Sequence, residues 1–434
     1  MKKRLYVLSI DAMVSEDIEF MKTLPNLGPI VRNASYVKDI ISVYPTLTYT
    51  IHASMLTGVY PDRHHVSNNE YFVPGVSPAP WYFDSKVFDG DVDNLLAAAK
   101  RAGYTTASIS WPVTGNIKAD YLLPEVWDWD DDSPKNMYRT FVKYGASEEF
   151  LNEFWENYGT HLKGLSSPYF HYLAHGATLS AIRNHRPEVI LEHLSMVDHA
   201  RHRHGVFADE VYKQAYFLID LMFGATMDAL KEQGVYDDTM IVITSDHGQT
   251  PVTKLVSPNL LFIRDGLVRL NKDGTLKDYD AFFSSAAHSV QVYLKDPSDK
   301  ALERKVRDFL QKYKDDERIG IETIYTKDEV KRKYRLDGGF SFVLEGADGI
   351  SFSNKLSGPL YYDADNSDYK YSVATHGHEP EKGPKPAFIL YGPGIKKNVL
   401  MDRCNIVDEA PTLAALLGVE LQNADGKVLK EFLE

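Results

Sequence analysis

The stretch TMIVITSDHG, Thr239–Gly248, decides the fold. A run of β-branched and apolar residues stops abruptly at Ser245-Asp246-His247-Gly248. A strand that is apolar on both faces is covered on both sides, as in a parallel sheet between helices. The same figure recurs along the chain. LYVLSI (5–10) ends at Asp11, and PEVILEHLSMVD (187–198) ends at Asp198. VDNLLAAAKRAG (92–103) has helical spacing and closes on Gly103, and the strand pattern TTASISWP (105–112) follows. A long helical pattern covers about 208–233 and closes on Gly234. PAFILYGPGI (386–395) reads as a late strand and APTLAALLG (410–418) as a late helix. The expected class is therefore α/β, a mostly parallel sheet sandwiched by helices.

Two regions break this rhythm. Residues 130–185 are aromatic and helical, and residues 256–369 read as α+β. There HSVQVYLKD, IGIETIY and FSFVLEGADG have strand character around the helix KALERKVRDFLQKY. The expected organisation is a core of 1–255 and 370–434 with an inserted α+β cap at 256–369. The chain has 434 residues and a formal net charge of -13. An acidic chain is a poor partner for nucleic-acid backbones and anionic membranes, so neither a nucleic acid polymer nor a membrane is expected as partner. A small phosphate ligand stays open, because metal ions supply local positive charge. One cysteine, Cys404, leaves no disulfide within the chain and no thiolate cluster. The start, MKKRLYVLSIDAM, carries an apolar run too short for a signal-peptide core, so a cytoplasmic location is the expectation.

In sheets of this kind ligands bind outside the carboxyl ends of the strands. Asp11, Asp198 and Asp246 fall at such ends, and grouped carboxylates are costly unless a cation holds them. DHARH spaces Asp198 and His202 at i and i+4, one face of a helix start. SDHG supplies Asp246 and His247, and THGH supplies His376 beside Gly377, which permits close backbone approach. Each motif alone has an ordinary explanation, a solvated helix face or a capped turn. Together these six acid and imidazole groups suit two divalent metal ions, Zn or Mn.

With these motifs in hand, the segment PTLTYTIHASMLTGVYPDRHH (45–65) resembles the nucleophile region of the alkaline phosphatase superfamily. The order of motifs is closest to the nucleotide pyrophosphatase/phosphodiesterase branch. WPVTG (111–115), GPGI and APTLAALLG are similar to further segments of that superfamily. The resemblance covers most of 1–255 and 370–434. It implies that Thr48 is the nucleophile rather than a simple helix cap. It implies one metal held by Asp198, His202 and His376, and a second by Asp11, Asp246, His247 and the Thr48 oxygen. It also implies that Asn69 donates its amide to a phosphoryl oxygen. Tyr49 keeps an aromatic ring next to the nucleophile. His193 stands where the branch often has a second aromatic for stacking a base.

By that resemblance the expected activity is two-metal hydrolysis of phosphodiester or pyrophosphate bonds in a small-molecule substrate, through a phospho-Thr48 intermediate. A phosphomonoesterase or a phosphonoacetate-type phosphonate hydrolase would use the same metal frame. A silent metal- or phosphate-binding protein is the reading from outside enzymes.

Overall fold

The structure, a computed structural model, describes residues 2–434 apart from 77, 89, 163–167 and 366–371. The main sheet has eight strands: β1 (Arg4–Ile10), β2 (Ser35–Ile41), β3 (Thr106–Ile109), β4 (Tyr121–Leu123), β5 (Val189–Leu194), β6 (Thr239–Thr244), β7 (Phe388–Tyr391) and β8 (Leu400–Asn405). Their order across the sheet is β8-β2-β7-β6-β1-β5-β3-β4. β1 lies parallel between β5 and β6, with Ser9 opposite both His193 and Thr244. Only β7 runs antiparallel, inserted between β2 and β6. Every residue of β5 and β6 is buried, Glu192 and His193 of β5 included, as expected of strands covered on both faces. One apolar cluster, with Tyr6, Leu8, Phe141 and Phe223, fills one face. A second, with Leu5, Val7, Leu56 and Leu413, fills the other. Among the described residues no helix is long and apolar enough to cross a membrane.

Among the helices that contribute side chains to these clusters are α1 (Thr48–Thr57), α2 (Met196–His204), α3 (Asp209–Glu232) and α4 (Glu409–Leu417). All ten residues of α1 are buried, so it is a core helix rather than an amphipathic surface one. The expected strand ending at Asp198 is shorter than its sequence pattern. β5 stops at Leu194, and Asp198 lies in the first turn of α2.

Residues 281–346 build a second, antiparallel sheet in the order 281–286, 289–294, 342–346, 321–326. It has its own apolar cluster, which includes Phe262, Phe283, Phe342 and Phe352. Strand 254–256 pairs with 350–352 and 361–362, so pairing across the seam begins before residue 256. The far boundary expected at 369–370 lies outside the described residues.

Segments 44–48 and 376–379 are two of the places where the second sheet meets the core. Glu345, 1% exposed on the second sheet, accepts from the Tyr44 hydroxyl at 3.0 Å and the Glu379 amide at 3.1 Å. Lys382 approaches the same carboxylate at 3.1 Å and balances its charge. His288 donates its amide to the His376 carbonyl, and Gly377 donates its own to the Thr46 carbonyl. Gly377 sits at φ +87°, and a Cβ there would stand 1.9 Å from the Ala286 carbonyl oxygen. The close approach anticipated for this glycine is therefore made to the second sheet. Gly377→Ala is expected to destabilise the protein by about 3 kcal/mol or more, from strain plus the backbone clash. Urea unfolding measures this; a change under about 1 kcal/mol would show that the junction yields.

Candidate active site

Asp11 follows β1, Asp246 lies just past β6, and Asp198 opens α2, so adjacent strand ends carry all three acids to one place. All three are buried, Asp246 completely. The Asp246 carboxylate accepts from the backbone amides of His247 at 3.0 Å and Ala12 at 3.3 Å. Asp198 Oδ1 accepts from the Gln249 side chain at 2.6 Å. Gln249 thus orients this carboxylate, a role its sequence position does not reveal.

The histidines converge on these acids. His202 Nε2 lies 3.2 Å from Asp198 Oδ1, and His376 Nε2 lies 3.8 Å from the same atom. His202 Nδ1 faces the Ala374 carbonyl at 2.7 Å, and His376 Nδ1 faces the Thr46 carbonyl at 2.8 Å. A carbonyl accepts only, so each Nδ1 carries the proton and each Nε2 presents a lone pair to a carboxylate. Lone pair facing carboxylate is unfavourable unless a cation lies between, and this second bond is how ligating histidines are held. His247 Nε2 lies 3.2 Å from Asp246 and 3.4 Å from Asp11. Its ring stacks on His376 with centroids 3.7 Å apart.

Ligand atoms of Asp11, Asp246 and His247 lie within 4.8 Å of one another, and so do those of Asp198, His247 and His376. The sequence pattern groups His202 with Asp198 and His376. The structure brings it to Asp198, and stacking on His376 also places His247 between the two groups.

The electrostatics fit cations. Burial, then the charges of Asp198 and Glu125, push Asp11 well above the usual carboxylate range. Burial and the neighbouring Asp11 do the same to Asp246. Burial also works against ionised Asp198, but the imidazoles of His202, His376 and His247 outweigh it and hold its carboxyl low. Burial lowers His376 to about 3, so it is a neutral ligand at ordinary pH. Asp11 Oδ1 and Asp246 Oδ2 are buried with no hydrogen-bond partner among the described residues. Two metal ions would satisfy these atoms and offset the crowded charge.

Thr48 is the first residue of α1; the cap position belongs to Leu47, whose backbone is extended. Its Oγ1 lies 3.2 Å from His247 Nε2. One turn on, His52 faces the Thr48 carbonyl with Nδ1 at 2.9 Å and Ser9 with Nε2 at 2.9 Å. Asn69 Oδ1 accepts from the Tyr49 amide at 3.0 Å, which fixes the amide group beside the helix start. Thr48, Tyr49, Asn69, Asp11, Asp198 and His376 all line one cavity of about 630 Å³.

His193 does not. Expected to stack a base, it is 2% exposed and lies beneath Asp11, with Nε2 3.3 Å from Oδ2. Its place in an interior strand of the sheet turns the ring under the acids, away from the cavity. The aromatic lining comes instead from Trp81, Trp127, Trp129 and Phe170, with Glu70 and Glu125 beside them. The alternation Glu125-Val126-Trp127-Asp128-Trp129 is the signal that could have found part of this wall.

With this geometry established, comparison with known proteins is decisive. The sequence model of the family described as "Type I phosphodiesterase / nucleotide pyrophosphatase" matches residues 5–379. The chain belongs to that family. As a type I phosphodiesterase-family chain it is 24% identical over 228 residues to human ectonucleotide pyrophosphatase/phosphodiesterase family member 1. That match covers 52% of this chain and 21% of the human protein. It is 22% identical over 418 residues to venom phosphodiesterase of Naja atra, covering 91% of this chain and 41% of that one. The solved structure of murine ectonucleotide pyrophosphatase/phosphodiesterase 5 shares the fold, with a TM-score of 0.66 at 17% identity over 100% of both chains.

Raised carboxyl values carry a pH signature. In the metal-free chain Asp11 and Asp246 bind protons more tightly folded than unfolded. Their contribution to stability is complete below the unfolded carboxyl range, about pH 4, and is lost as pH rises through the elevated folded values. The buried histidines His52, His64, His171, His247, His288, His376 and His378, and His199 with them, are held by desolvation below the usual imidazole range; they act in the opposite sense between about pH 5 and 7, as Asp198 does at lower pH. The melting temperature of the metal-free protein is expected to fall from about pH 7 to pH 9, where the unfolded histidines are already neutral and the raised carboxyls decide the slope. Saturating zinc should reverse the trend and Asp11→Asn should flatten it; a metal-free protein that gains stability over this range would contradict the charge balance. Gln249→Leu should weaken zinc binding about 10–100-fold by competition with a chelating dye.

Proposed function

We propose that the chain is a two-metal hydrolase of phosphodiester or pyrophosphate bonds with Thr48 as its nucleophile. One observation carries this: a threonine hydroxyl at the start of a buried helix opens into the cavity amid three buried carboxylates and their imidazoles. The matched relatives are named pyrophosphatase/phosphodiesterases and venom phosphodiesterases. A further structure of the murine protein is titled as an inactive threonine-to-alanine variant in complex with AMP. This chain matches only a minor part of the length of the human and venom relatives, so their activities come to it as a proposal.

Asp198, His202 and His376 would hold one ion, and Asp11, Asp246 and His247 with the Thr48 side chain the other. The mixed imidazole–carboxylate set suits zinc, with manganese as the alternative. Bound there, the ions supply Lewis acidity, easing loss of the hydroxyl proton and neutralising charge on the departing oxygen. Thr48 Oγ1 attacks phosphorus, the bond to the leaving oxygen breaks, and a phospho-Thr48 ester forms. Water then hydrolyses that ester and returns the hydroxyl. The start of α1 presents backbone N–H groups and a positive dipole end to the phosphate. Asn69, held by the Tyr49 amide through Oδ1, offers its NH₂ to a nonbridging oxygen. A neutral amide suits a monoanionic diester better than a dianionic monoester. Residues 256–369 act as a cap anchored through Glu345 and Gly377.

Thr48→Ala is expected to cut turnover of bis-p-nitrophenyl phosphate about 10³-fold or more while elemental analysis still finds the bound metal. Normal turnover by this variant would remove the covalent route. The parent is expected to prefer bis-p-nitrophenyl phosphate over p-nitrophenyl phosphate in kcat/KM; the reverse preference would favour a phosphomonoesterase.

A further inference from the structure

The two ligand groups stand on separate pieces of chain, and one side chain outside both groups ties those pieces together. Arg201 lies on α2, three residues after Asp198 and one before His202, so the three share a face of the helix. It is 4% exposed. Its Nη1 donates to the Ala12 carbonyl. Its Nη2 donates to both oxygens of Asp17, at 2.7 and 3.0 Å. The guanidinium carbon lies 4.6 Å from the centre of the Tyr212 ring. Asp17 is itself buried, and it also accepts from the Tyr216 hydroxyl at 2.7 Å and the Val14 amide at 3.0 Å.

Ala12 is where this brace meets the other group. Residues 10–13 form a tight turn, closed by the Met13 amide on the Ile10 carbonyl at 3.1 Å, with Asp11 and Ala12 at its centre. Ala12 has φ +59°, a left-handed backbone that alanine keeps only where its surroundings enforce it. Its amide donates to Asp246 at 3.3 Å while its carbonyl accepts from Arg201. One residue thus joins Asp11 and Asp246 to the helix that carries Asp198 and His202. The chemistry of the brace favours a geometric role over a stabilising one. A buried ion pair is a poor source of stability, because packed apolar residues serve as well or better. A guanidinium holds its donors in a rigid plane and can set a carboxylate and a carbonyl at a fixed angle, which an ammonium cannot. It has no lone pair, so Arg201 ligates no cation and acts only through the residues that do.

We infer that Arg201, seated on Asp17, is a positioning residue that sets the spacing between the group of Asp198, His202 and His376 and the group of Asp11, Asp246 and His247, and with it the separation of the two ions they would hold. The inference rests on the two-metal reading of the site and adds no step to the reaction.

The test compares the parent with Arg201→Lys, which keeps the charge and loses the fork, and with Tyr216→Phe, which removes one hydrogen bond from Asp17. Zinc binding to the metal-free protein, read by competition with a chelating dye, should weaken about 10–100-fold in Arg201→Lys and by a smaller factor in Tyr216→Phe. Both variants should still bind two ions per chain. Loaded with manganese, the parent should give the electron paramagnetic resonance spectrum of a spin-coupled pair. Arg201→Lys should change that coupling, which depends steeply on the separation of the ions. Turnover of bis-p-nitrophenyl phosphate should fall about tenfold or more in kcat while KM stays within about twofold. An arginine with a merely structural role would lower the urea midpoint and leave zinc affinity, coupling and the kcat of folded protein at the parent values; that result overturns the inference. Should Arg201→Lys fail to fold, Tyr216→Phe decides by the same titration and spectrum, and parent values there overturn it too. A parent that binds a single ion overturns both the brace and the two-metal reading. A parent that couples two ions but turns over no phosphodiester overturns the phosphodiesterase alone, and the brace is then judged on zinc affinity and coupling.

Discussion

Three carboxylates drawn into a space nearly without water repel one another, and the rest of the site follows from relieving that repulsion. Asp11, Asp198 and Asp246 arrive on separate strand ends, each 6% exposed or less. Left to themselves two of them would keep their protons. On the proposed reading, six imidazole and carboxylate groups around paired cations would be a stable alternative, and that arrangement would also provide the Lewis acid that a threonine hydroxyl needs. The supports serve the same end. Carbonyls of Thr46 and Ala374 fix the tautomers of His376 and His202, and Gln249 fixes Asp198. Structure and chemistry therefore share one cause.

Much of this frame was legible in the amino-acid order because it is local or periodic. Apolar runs ending in Asp11 and Asp246 mark strands and strand ends together. The spacing of Asp198 and His202 places both on one helical face, and they do meet at 3.2 Å. The antiparallel course of β7 was not legible, since a four-residue buried run has no direction in its composition. Nor was the middle position of His247, which depends on ring stacking across strands far apart in sequence. His193 misled for a related reason. Its spacing to Asp198 is local, but the face its ring takes is set by β1 and β3 on either side.

The second sheet reaches the chemistry through backbone and buried side chains rather than through cavity residues. Glu345 joins the segment before Thr48 to the loop after His376, and Ala286 presses on Gly377. Only long-range contacts reveal this, because neither LEG nor HGH carries a mark of the other. The aromatic wall lies elsewhere, on 81 and 125–129. The elements that hold the candidate metal ligands are thus distinct from those that shape the opposite side of the cavity. Change in one need not disturb the other.

The reversed strand β7 has a consequence for biogenesis. It lies inside the sheet, between β2 and β6, yet it is drawn from residues 388–391 of a 434-residue chain. A nascent chain still lacking that segment also lacks β8, so β2 has no neighbour and β6 keeps an open, hydrogen-bond-hungry edge. Nine-tenths of translation passes before the gap is closed, so the emerging polypeptide is exposed to wrong edge pairing for most of its synthesis. Sheet closure waits on the last tenth of the chain, and a chaperone that shields β2 and β6 until then would act where the need is greatest.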